Sequence, residues 1–122
     1  MRKIFNKKIG ILAFSLVCAG LVNATPVRNA NEAVELVEES IINHGFDNGQ
    51  GTECMKFYVG ETDDEFEIDV HSDNEKCGGD PDVEPRLFSY TVDKETGELA
   101  TDNMSYAEDQ GIDWEGDFLP ID

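Results

Sequence analysis

Positive charge is what this chain has least of. Its 122 residues hold nine Lys and Arg against 27 Asp and Glu, with only two His. Four of the nine basic residues (Arg2, Lys3, Lys7 and Lys8) stand at the start, so from residue 25 onward five basic residues face all 27 acids, a formal charge of −22. A surface of that sign repels nucleic acid and anionic lipid, because the Coulomb attraction that draws basic proteins to phosphate is reversed. It speeds encounter with a cationic partner, or collects divalent cations, or serves only to keep a small protein in solution. Cysteine is scarce too, with three residues and no Cys-x-x-Cys pair. A metal site built on Cys54 and Cys77 would have to be completed by His44 and His71, which makes it a weak competitor to a disulfide. There is no Gly-x-Ser-x-Gly elbow, so the usual signature of an activated serine is missing.

Long apolar runs are absent except at the start. Ile9 to Val22 is almost entirely apolar, follows the positive residues, and precedes Val22-Asn23-Ala24. That pattern predicts a secretory signal peptide over residues 1–24, cleaved before Thr25, and the run is short for a membrane span. An uncleaved anchor is the competing reading. Cys18 follows Val17, where a lipoprotein signal wants a small residue. Residues 25–122 are then a single domain in the periplasm or outside the cell, with no membrane attachment after cleavage and an acidic extension from about residue 102. An exported compartment is oxidising, so Cys54 and Cys77 are expected to form one bridge, worth about 3 kcal/mol by loop closure.

The periodicity predicts an α+β fold: one N-terminal helix packed on a three- to four-stranded antiparallel sheet. Residues 29–44 have the helical spacing, with Ala30, Val34, Val37 and Ile41 in one stripe, Asn29 and Glu32 as a capping pair, and Gly45 as the stop. Residues 53–59 read as a strand. In 65–71, Phe66, Ile68 and Val70 alternate with Glu65, Glu67, Asp69 and His71, the mark of a strand with one apolar and one anionic face. Gly60 to Asp64 supplies the hairpin connection. A long loop, 72–86, holds two prolines and a Gly-Gly pair. A third strand covers 87–92, a turn covers Asp93 to Gly97, and Glu98 to Thr101 can return as a short fourth strand. Residues 102–122 have no period. They either lay a few apolar residues on the domain or remain disordered, and their aromatics argue against disorder.

The order of these elements, with the run Tyr90-Thr91-Val92-Asp93-Lys94-Glu95-Thr96-Gly97-Glu98-Leu99, resembles the PepSY-type modules of secreted and periplasmic bacterial proteins. The resemblance covers roughly residues 29–101, and the turn is its only matching motif. It implies a helix on an antiparallel sheet, and binding or regulation, sometimes of peptidases, rather than catalysis. The Cys77-Gly78-Gly79-Asp80-Pro81 loop lies outside that pattern.

Three functional readings follow. The first is a non-catalytic binding protein, an inhibitor or regulator of a cationic protein such as a hydrolase. Glu65, Glu67 and Asp69 would steer the partner and the 78–88 loop, through Asp80, Pro81, Glu84, Pro85 and Arg86, would dock it. Against this, Arg86 can pair locally with Asp80 or Glu84 and leave the loop merely crossing the sheet. The second is a calcium-binding or envelope-stress module, with Asp47, Asp63 and Asp64 as ligands on flexible loops, although neither stretch has the spacing of an EF-hand. Diffuse screening by cations is the alternative. The third is a small hydrolase with His71 as base beside Asp69, or else His71 is a solvated surface residue.

Overall fold

A computed structural model describes residues 25–122; the expected signal peptide lies outside them. The elements run α1 (Ala30–His44), β1 (Met55–Glu61), β2 (Glu65–Ser72), α2 (Asn74–Cys77), β3 (Arg86–Asp93), β4 (Leu99–Thr101), α3 (Met104–Asp109) and β5 (Leu119–Ile121). The strands form one antiparallel sheet in the order β1-β2-β3-β4-β5. The α+β class is as expected, but the sheet has five strands rather than three or four. The added one, β5, escapes periodicity because it is three residues long with Pro120 at its centre. No helix among the described residues is long and apolar enough to cross a membrane.

Each boundary has a local cause. Asn29 Oδ1 accepts from the Glu32 N–H at 3.0 Å, while Glu32 reaches back to the Arg28 N–H at 2.9 Å. The first turn of α1 is thereby closed from both sides. Gly45 takes the left-handed conformation, φ 74°, and the Phe46 N–H returns to Ile41 O at 2.9 Å. The turn after β3 is built by Asp93, whose Oδ1 accepts from the Glu95 and Thr96 N–H groups at 2.8 and 3.0 Å. Gly97 ends it at φ 76°, and a Cβ there would stand 2.9 Å from Thr25 O. Residues 25–27 run beside this turn, with the Val27 N–H donating to Lys94 O at 2.8 Å.

One apolar face of α1 and the even-numbered residues of β2 and β3 share a core: Ala33, Val37, Ile41, Phe66, Ile68, Val70, Phe88, Tyr90 and Val92 are all buried. Two polar groups are enclosed with them. Ser40 Oγ and the Tyr90 hydroxyl lie 2.9 Å apart, so one donates to the other. Burial pushes the Tyr90 phenol up to about 12.

The 72–86 segment is more ordered than its prolines and glycines suggest. Asp73 accepts from the Lys76 N–H and starts the single turn α2. Cys77 at its end is bonded to Cys54, 23 residues earlier, just before β1. Asn74 ties the rest down: its Nδ2 donates to Asp80 O at 3.3 Å and Val83 O at 2.9 Å. The expected bridge is therefore present, and it joins the start of β1 to the loop after β2.

Replacing both bridging cysteines by serine should lower stability by about 3 kcal/mol in urea unfolding, the loop-closure value for this separation. A loss below about 1 kcal/mol would mean that Asn74 and the β1–β2 ladder hold the loop without the covalent link.

Candidate interaction face

The outer face of the sheet, opposite α1, carries the polar residues of β2. Glu67 and Asp69 are exposed and Glu65 is half-buried. Their cross-strand neighbours in β3 are Asp93, Thr91 and Ser89, and in β1 Glu67 and Asp69 stand beside Gly60 and Tyr58. Among the described residues no basic one opposes any of the three. Glu65 faces Asp93 directly, a like-charge pairing that weakens a sheet. Asp93 is held low by the backbone N–H groups of Thr96 and Glu95, which favour its charged form. Asp69 Oδ1 accepts from Ser89 Oγ at 2.5 Å, and nothing cationic reaches it.

Four of the five basic residues described are paired elsewhere. Lys94 Nζ binds Glu61 at 2.6 Å and lies over the Phe66 ring. Lys56 Nζ donates to Glu84 Oε2 at 2.8 Å, and the Tyr58 hydroxyl donates to Glu84 Oε1. These two donors hold the Glu84 carboxyl below its ordinary value, and the same carboxylate pushes the Tyr58 phenol up. His71 stacks edge-on against Tyr58 at 4.9 Å, and its Nδ1 lies 3.0 Å from Glu84 O. The imidazole thus faces a backbone carbonyl, while Asp69 turns to Ser89; the pair expected for a hydrolase does not meet through a hydrogen bond.

Arg86 pairs with neither Asp80 nor Glu84. Its guanidinium donates to Asp102, whose other oxygen accepts from the Ser89 N–H at 2.7 Å. A register shift between Val70 and His71 sets Arg86 opposite His71 and leaves Leu87 unpaired, so Arg86 reaches the outer face. Asp102 is 7% exposed, and the Trp114 indole N–H donates to its carbonyl at 2.9 Å. The tail is therefore tied to the sheet at this point. Asp102 was not legible in the sequence, because it sits in the stretch without a period, 16 residues from its arginine. Asp80 accepts from the Asp82 N–H at 2.9 Å. Asp80, Pro81 and Pro85 are exposed and Glu84 is half-buried. Of the docking residues, Glu84 and Arg86 are tied into the outer face and Asp80 and Pro81 project at the loop tip.

The three calcium candidates are not gathered. Asp47 turns both oxygens inward, to the Gly49 N–H at 3.1 Å and the Gly51 N–H at 2.8 Å. Those two donors hold its carboxyl below the ordinary value. Asp63 and Asp64 sit on the β1–β2 hairpin, at the far end of β1 from Cys54. Among the described residues no three His, Cys, Asp or Glu are grouped as a metal would need.

No protein-family model, no curated protein and no solved structure matches this chain.

Two outcomes test these assignments. Asp47 has a depressed folded value, so its stabilising share is present above about pH 4, its unfolded range, and is lost as pH falls through the folded value. Asp47→Asn should therefore be less stable than wild type at neutral pH, with the two acid-unfolding curves converging at low pH. A constant difference at every pH would remove Asp47 as the source. In Glu84→Gln, ultraviolet titration should show one tyrosine returning toward the ordinary value; an unchanged titration curve would contradict the Tyr58–Glu84 contact.

Proposed function

We propose that the chain is an exported, non-catalytic binding protein that recognises a cationic protein, such as a secreted hydrolase, and inhibits or regulates it. The observation that carries this reading is the row Glu65, Glu67 and Asp69 with no cation opposite any member. Such a row stores repulsion that an incoming Lys or Arg relieves. The charge imbalance supports a long-range attraction for the same partner, and among the described residues four of the five Lys and Arg are engaged in ion pairs. The loop tip at Asp80 and Pro81 supplies a second contact, stiffened by proline and by Asn74, so little freedom is lost on docking. The Cys54–Cys77 bridge supports an oxidising compartment, periplasmic or extracellular. The resemblance of the Tyr90–Leu99 stretch to PepSY-type modules points the same way, toward binding.

The test is a binding titration against purified basic hydrolases with isoelectric points above about 9. At low salt the Glu65→Gln, Glu67→Gln, Asp69→Asn triple variant should bind about tenfold more weakly than wild type, at roughly 0.5 kcal/mol per exposed ion pair. The difference should shrink as salt rises. Equal binding by wild type and variant, or no binding by either, would sink the proposal.

A further inference from the structure

The two edges of the sheet are unlike. β5 is three residues long and has Pro120 at its centre, a usual way of blunting an edge. β1 is seven residues long, contains no proline, and pairs on one side only, with β2. The closing pair of its hairpin fixes which backbone groups remain free. The Thr62 N–H donates to Glu65 O at 2.9 Å, so Thr62 and Glu65 are a hydrogen-bonded pair. Antiparallel alternation then turns the backbone groups of Gly60, Tyr58 and Lys56 toward β2. Those of Glu61, Val59 and Phe57 point away from the sheet, and no backbone group among the described residues bonds to them.

The side chains along this edge add two features. On the helix side, Phe57 is only partly buried against the core and Val59 is 38% exposed, which leaves an apolar ledge. On the outer side, Gly60 has no side chain, and Glu67 Oε1 lies 3.9 Å from where a Cβ would be. A carboxylate thus stands at the rim of the edge with open space before it. Lys56, at the other end, is already held by Glu84.

We propose that β1 is a strand-addition site for an extended, basic segment of a partner protein. The segment pairs with the free backbone groups of Phe57, Val59 and Glu61, lays apolar side chains on Phe57 and Val59, and passes a Lys or Arg across Gly60 to Glu67. This rests on the reading of a cationic partner and specifies how that partner is held. A second copy of the chain is disfavoured as occupant, since each copy carries a formal charge of −22 beyond residue 24.

The test uses the oxidised protein and a capped peptide, Lys-Val-Lys-Val-Lys-Val-Lys, with a fully N-methylated peptide of the same sequence as control. By amide exchange, Phe57, Val59 and Glu61 should be fast in the free protein, and saturating peptide should slow them by at least about tenfold. The methylated control, equal in charge but without donors, should bind at least about tenfold more weakly. Val59→Pro removes an outward donor and no β1–β2 bond, so it should weaken binding with little change in melting temperature. Should that variant not fold, exchange in the wild type decides. Peptide binding without slowed exchange, or equal binding of the methylated control, overturns strand addition and leaves the cationic-partner reading intact. No peptide binding, with basic hydrolases still bound through Glu65, Glu67 and Asp69, has the same meaning. Loss of both kinds of binding overturns both. A dimer whose β1 amides are already slow overturns the proposed occupant.

Discussion

The structure depends on how 27 carboxylates are accommodated by a chain with so few cations. Backbone amides do much of the work. Asp47, Asp73, Asp80, Asp93 and Asp102 each accept from at least one N–H, and each of these contacts also shapes a turn, a helix start or a strand junction. At Asp47 and Asp93 these amides favour the charged carboxylate without a basic side chain. The few Lys and Arg residues are then available as ties between distant segments: Lys56 to Glu84, Lys94 to Glu61, Arg86 to Asp102. Other carboxylates, on α1, in the turns and along the tail, have neither kind of partner; on the outer face of β2, Glu65, Glu67 and Asp69 are three such groups set in a row.

The same division explains the core. An acidic chain of this size loses stability to self-repulsion, and its apolar interior is modest. The buried hydroxyl contact between Ser40 and Tyr90 joins α1 to β3, and the buried Thr101–Ser89 and Ser89–Asp102 bonds join β3 to the end of β4, so polar groups inside the domain tie its elements together. The cystine bridge adds to this by limiting the unfolded chain.

Much of the fold was legible in the sequence because its signals are local. Asn29, Glu32 and Gly45 bound α1, and the strict alternation from Glu65 to His71 marks β2 with its faces correctly assigned. The turn at Asp93–Gly97 was equally plain. What was not legible depends on partners far apart in the chain. β5 is too short for any period. Asp102 gains its role only when the bulge at Val70/His71 turns Arg86 toward it. The loop from Ser72 to Arg86 read as irregular because its order comes from single contacts without a period: the Asp73 cap, Asn74, the bridge, and Lys56 on Glu84. For the candidate face, residue type and side were readable from β2 alone. That its neighbours would be Asp93, Thr91, Ser89 and Gly60 required the register, which the sequence does not state.

Asn74 holds the loop through the carbonyl oxygens of Asp80 and Val83, not through their side chains. Its grip therefore does not depend on the side chain of Val83. With the disulfide and the Ser72–Pro85 backbone contact closing the base, Gly79 is fixed, since a Cβ there would stand 3.1 Å from Asn74 Cγ, while the side chains of Asp82 and Val83 are exposed and can change with the loop's shape kept. Drift at those two positions would change what the loop presents to its surroundings and leave the sheet beneath it untouched.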